Sequence, residues 1–200
     1  MSKTTGIILG VVGGLILLII IAVFSLMSRY NSMVKMNQEV KGQWGNVEVV
    51  YQRRADLIPN LVETVKGYAK FEQSTLTEIA GLRASVGQAK GNWDNKNLPI
   101  GERINAANSM ESSLSRLLVV VEKYPDLKAN QNFMALQAEL AGTENRISVE
   151  RRKYNEAVKD FNAYILAFPN NIIRGMGNFN ELPYFQSDKG AEKAPTVKFN

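Results

Sequence analysis

Cysteine and histidine are both missing from this chain of 200 residues. Zinc sites, haem ligation by histidine, thiol nucleophiles and Ser-His-Asp triads each need one or the other, so all are excluded. Without cysteine, disulfide content says nothing about the compartment. A strong surplus of one charge is also lacking: 24 Lys and Arg stand against 19 Asp and Glu, and the net +5 is spread along the chain. Nucleic-acid binders of this size cluster their basic residues more tightly, so no nucleic-acid partner is expected. No stretch alternates with the period of a β-strand, and no segment repeats. Gly-rich phosphate loops are absent too, since "GMGNFN" follows a helical run instead of leading into one. Ser32 and Lys35 match the Ser-x-x-Lys spacing of serine acyl-enzymes by letter, without the companion Ser-Asp-Asn and Lys-Thr-Gly motifs. Neither a cofactor nor a small-molecule substrate is implied.

What is present begins with "GIILGVVGGLILLIIIAVFSLM", Gly6 to Met27, which carries no charge. About 20 apolar residues cross the hydrocarbon core as a helix, so this run is long enough to span with some tilt. A cleaved signal peptide has a shorter apolar core and a small-residue cleavage site, and an uncleaved anchor is therefore expected over residues 1–28. Lys3 and the α-amine flank one side, and Arg29, Lys35 and Lys41 the other. That balance leaves orientation open on the positive-inside rule; the expectation adopted places the bulk of the chain outside the cytoplasm. Gly6, Gly10 and Gly14 recur every four residues. Such a face lets two helix backbones approach closely, which favours homo-oligomers, although glycine is common in membrane helices generally.

Beyond the span, apolar residues recur at steps of three and four, as in packed, coiled-coil-like helices. Four runs stand out: Tyr30 to Arg54, Val62 to Val86, Ile104 to Val121, and Phe133 to Phe168. "KGNWDNKNLPIG", residues 90–101, reads as a loop, and Pro169 with "NNIIRGMGNFN" ends the last run. The fold class is therefore all-α: one transmembrane helix, then an antiparallel four-helix bundle over residues 29–168, then an irregular tail over 169–200. Asp56 as N-cap and Pro59 in a first turn predict a break between runs one and two. The apolar register does cross Pro59 unslipped, which leaves a kinked continuous helix open. On the broken arrangement, Asp56, Pro59 and Asn60 share a distal tip with Tyr124, Pro125 and Asp126.

Three long blocks carry a family resemblance: "YQRRADLIPNLVETVKGYAKFE", "VVVEKYPDLKANQNFMALQAELAGTENRISVERRKYNEAVKDFNAYI" and the closing "PTVKF". They resemble the LemA family of bacterial membrane proteins across nearly the whole chain. The resemblance implies a four-helix bundle on a single anchor. It implies no enzymatic activity, since the family is defined by sequence.

Within the bundle, Glu72, Glu111, Thr143 and Glu144 fall at similar depth on the predicted seams. Buried carboxylates need partners, so a hydrogen-bonded polar layer that fixes helix register is expected. The alternative is an all-oxygen divalent-metal site and an enzyme built on it. Arg83 and Glu150 fall at a second matched depth and are expected to pair. Trp93, Phe179, Tyr184 and Phe185 return toward the membrane end and are candidate interfacial aromatics. These features favour a scaffold or adaptor that works by contact with an unidentified protein. A membrane-surface or lipid-handling role comes second, and the carboxylate metal enzyme third.

Overall fold

The computed structural model describes residues 3–68 and 72–186, with side chains from residue 7 onward. Every long element among them is helical: α1 (Lys3–Tyr68), α2 (Gln73–Asp94), α3 (Ile100–Val121), the single turn α4 (Pro125–Lys128), α5 (Gln131–Leu166) and the single turn α6 (Asn170–Ile173). A 3₁₀ turn over Arg174–Gly177 follows. No strand occurs among the described residues.

The chain divides into two compact units. The larger comprises Trp44–Asn155 with Pro183–Asn200, and the smaller comprises Met1–Gln43 with Glu156–Leu182. In the larger unit the second part of α1, then α2, α3 and the first part of α5 form the four-helix bundle. Short connections between successive long helices return the chain antiparallel each time. Its core gathers Ile58, Leu61, Val62 and Val65 of α1 with Ile79, Leu82 and Val86 of α2. Leu114, Leu117, Val120 and Val121 of α3, Leu127 of α4, and Phe133 and Leu140 of α5 complete it. Each fully buried aliphatic or phenyl side chain of this kind is worth about 1.5–3 kcal/mol. Local chemistry sets the ends. Pro125 opens α4, where its missing N–H costs nothing. The Asn130 side chain accepts from the backbone N–H of Asn132 and Phe133, at 2.9 and 3.2 Å, and so caps α5.

Two expectations about helix ends change. α1 runs without interruption through Asp56, Pro59 and Asn60 to Tyr68, so those three residues are helix interior and not a tip. Asp56 accepts a bond from Gln52 one turn earlier at 2.7 Å, which is a helix-surface contact and not a cap. The cause is tertiary: Ile58, Leu61, Val62 and Val65, on both sides of the proline, are all buried in one core. Breaking the helix would forfeit that burial, which exceeds the ~3 kcal/mol an interior proline costs. Tyr124 lies between α3 and α4 as the N-cap of α4, whose first turn holds Pro125 and Asp126. Likewise α2 continues past Gly91 to Asp94, because Trp93 is buried and holds the last turn in place.

The smaller unit contains the apolar run of α1, whose side chains from Ile7 to Met27 are exposed. It is long and apolar enough to cross a membrane. Farther along α1, Met33 and Val40 are buried, as are Val158, Phe161 and Ile165 of α5. The Tyr30 and Phe179 rings lie 5.6 Å apart, and Phe161 meets Phe179 edge-on at 6.3 Å. The amide of Asn162 clamps the Leu182 backbone in both directions, donating to its carbonyl and accepting from its N–H at 2.9 Å each. Residues 178–182, which form no regular secondary structure, are thus tied to α5 through Leu182.

Candidate functional site: a buried arginine and aromatic layer

The bundle of the larger unit has a charged centre built by its helices and by an extended strap, residues 183–186. Arg54 of α1 is 1 % exposed, an unusual burial for a guanidinium. It sits in the apolar register of its run, one helical step after Tyr51. Its terminal nitrogens pair with Glu144 of α5 and, at 3.7 Å, with Glu111 of α3. Arg151 of α5 donates from Nε to the Tyr51 hydroxyl at 2.6 Å and from Nη2 to Glu111 at 2.6 Å. Two arginines and two carboxylates therefore balance one another: Arg54 is buried, Glu111 and Arg151 are half-buried and Glu144 is exposed, so the enclosed charge that would cost several kcal/mol alone is that of Arg54.

A third arginine closes the end of α2. Arg103 of α3 donates from Nε to the Trp93 carbonyl at 2.7 Å, satisfying an orphan acceptor of the last turn. Its Nη2 reaches Glu48 of α1 at 2.5 Å, and the Trp44 indole N–H donates to the same carboxylate at 3.1 Å. The guanidinium lies 5.2 Å from both the Trp44 and Trp93 rings.

Aromatic rings fill the space between these pairs. Phe185 on the strap stacks on Tyr51 at 9° and 6.1 Å and on Trp44 at 21° and 5.8 Å, and Tyr154 meets its edge. Arg151 covers its ring at 5.2 Å. Asn155 clamps the Phe185 backbone from both sides at 2.9 Å. Burial pushes the Tyr51 hydroxyl above its ordinary pKa, only partly offset by Arg151 beside it. Burial alone raises Tyr154. Burial also lowers the pKa of Arg54, against the pull of Tyr51 and Glu111. At Arg151 burial works the same way but is outweighed by Tyr51 and Glu111, and its pKa stands raised.

The residues expected in a polar layer fall in different surroundings. Glu111 and Glu144 belong to it, as ion-pair partners. Thr143 is buried, with its hydroxyl donating to the Glu139 carbonyl of its own helix. Glu72 is exposed at the start of α2, accepting from the Tyr124 hydroxyl at 2.7 Å and from Thr75 at 3.0 Å. Those two hydrogen bonds, Tyr124's first, hold its carboxyl below the usual range. Among the described residues no three acidic side chains gather as a metal site would require.

Arg83 and Glu150 do not pair. Arg83 binds Glu63 at 3.1 Å and Glu150 binds Lys153 at 2.8 Å, because helical neighbours and adjacent surface faces offered nearer partners. Trp93, Phe179 and Phe185 are buried and so are core residues, not interfacial ones; Tyr184 alone of the four is exposed. Gly10 and Gly14 leave open space around the position of a β-carbon. Gly6 lies outside the residues whose side-chain surroundings are described. The apolar register of the sequence contained Arg54 but did not reveal Arg151, which shares Glu111 with it, or Arg103, which pairs with Glu48. The available signal was an arginine falling at an apolar repeat position with acidic residues at like depth elsewhere.

This fold and centre define a helical, membrane-associated protein whose internal charges neutralise one another. The chain belongs to the LemA family, whose model matches residues 43–199. It is similar to "Magnetosome protein MamQ 1" and "Magnetosome protein MamQ 2" of Paramagnetospirillum magneticum, at 26% identity over 91% of this chain and 73% of each relative. It is also 24% identical to "Protein LemA" of Metamycoplasma hominis, over 87% of this chain and 76% of that protein.

Proposed function

We propose that this protein is a membrane-anchored helical scaffold, without catalytic activity, that acts by protein–protein contact and self-association. The bulk of the chain stands outside the cytoplasm on this reading. The observation that carries it is the charge pairing of the centre. Arg54, Arg151, Glu111, Arg103 and Glu48 each have a counter-ion within the bundle. A general acid, base or nucleophile must instead be free to meet a substrate. The layer serves to fix helix register and the strap, giving a rigid platform. α1 is unbroken at Pro59, so the bundle has no helix break there. The open face at Gly10 and Gly14 supports close approach of a second copy in the bilayer.

Mass photometry of the detergent-purified full chain tests this. A defined multimer that Gly10→Leu/Gly14→Leu reduces to monomer is expected. A wild-type monomer would overturn self-association and leave a heterologous partner, to be sought by crosslinking in intact membranes.

A further inference from the structure

Outside the apolar run of α1, three of the four most exposed large apolar side chains among the described residues fall within nine residues. They are Phe168 at 80 %, Ile172 at 69 % and Met176 at 83 % exposed. They recur every four residues from Phe168, just before α6, to Met176 in the 3₁₀ turn, while Asn170 and Ile173 between them are buried. Contiguous apolar exposure of this kind marks a contact surface.

Its position in the smaller unit says which contact. Both ends of the segment are held by consecutive residues of α1. Arg29 donates to the Asn170 side chain at 3.2 Å, and the Tyr30 ring packs against Phe179 at 5.6 Å. Asn170 is fixed in turn by its own bond to the Tyr164 carbonyl at 2.8 Å. Arg29 follows the end of the apolar run, Met27, by two residues, about 3 Å along the helix. The exposed triad is thereby tethered where the span leaves the hydrocarbon core. Arg29 adds positive charge at that level, suited to lipid phosphates, whereas Arg174 is paired with Glu181 at 3.7 Å.

We propose that residues 168–176 form a second membrane contact, with Phe168, Ile172 and Met176 seated in the headgroup–acyl boundary of the bilayer that α1 enters. The occupant of the apolar face is lipid, by continuity with the span, and the proposal rests on Gly6–Met27 crossing the membrane. An amphipathic segment lying in that boundary buries its apolar side about 5–10 Å deep. With the span it gives the protein two attachment points, which fixes how the base of α1 meets the membrane surface.

The chain has no cysteine, so single-cysteine variants of the full chain take a fluorescent label at one position. Ile172→Cys and Met176→Cys are compared with Leu17→Cys in the span and Val119→Cys, an exposed site on α3. Each is placed in phosphatidylcholine–phosphatidylglycerol nanodiscs carrying lipid with a quencher near the headgroup or deep in the chain. Shallow quencher should reduce fluorescence roughly twofold at 172 and 176, as for a probe in the boundary, and leave 119 unchanged. Quenching at Leu17 with none at 172 and 176 overturns the second contact while leaving the anchor intact. Shielding of 172 and 176 from aqueous iodide without lipid quenching also overturns it, and assigns the face to protein. No quenching at Leu17 from either depth sinks the anchor and the proposal together.

Discussion

Arg151 and Tyr51, one hundred positions apart in the chain, share a hydrogen bond of 2.6 Å at the centre of the bundle. Through it α5 is locked to α1, and Glu111 of α3 binds the same guanidinium. Tyr51 also carries the Phe185 ring on its face. One small group of side chains thus reports on the packing of three helices and the strap.

Removing a single carboxylate should hurt more than removing the network. Glu111→Ala leaves two guanidiniums under-compensated and is expected to cost about 3 kcal/mol, as for other broken buried ion pairs. Replacing Arg54, Glu111, Glu144 and Arg151 together by apolar residues of similar size should cost less than that. Urea denaturation of the full chain in detergent, followed by circular dichroism, gives both values. A neutral Glu111→Ala would mean the layer contributes nothing to stability.

Tyr51 and Tyr154 should ionise late. A folded-state pKa raised by burial means the proton is held more tightly in the native state. That stabilisation is intact below the unfolded value near 10, and is lost as pH rises through the folded value. Of the seven tyrosines, ultraviolet difference titration should show a class that ionises only with unfolding. Tyr51→Phe/Tyr154→Phe should shrink that class; an unchanged titration would contradict their burial.

Pro59 is exposed and interior to α1. Pro59→Ala restores a donor and removes the ring clash, and should stabilise the bundle by about 1–3 kcal/mol. Were Pro59 instead to initiate a helix after a turn, alanine would be neutral or harmful. The denaturation midpoint distinguishes the two.

The Asn155 clamp is predicted to hold the strap. Asn155→Ala removes both bonds to Phe185 and should cost about 2 kcal/mol. Because Phe185 stacks on Trp44, tryptophan emission should shift to the red, and proteolysis near Phe185 should accelerate. Unchanged emission and cleavage would show that ring stacking alone suffices.

The apolar span, the four heptad-like runs and the turn at Pro125 are properties of local order: hydrophobic period, length and turn residues fix them before any long-range contact forms. Family membership is legible for the same reason, since its blocks are contiguous. The ends of α1 and α2 are not local. Pro59 and Gly91 signal breaks, and each is overridden by buried neighbours that reward continuation. Charge pairing was harder still. Depth along a helix says which residues lie level, but not which faces meet, and that rotation decides whether Arg83 reaches Glu150 or Glu63. The sequence thus determined which residues are apolar and where helices lie. Only the tertiary structure decided that Arg54 is enclosed, that Phe185 is core, and that Phe168, Ile172 and Met176 are left outside. Burial is a property of which surfaces meet, and no single segment contains its own partner.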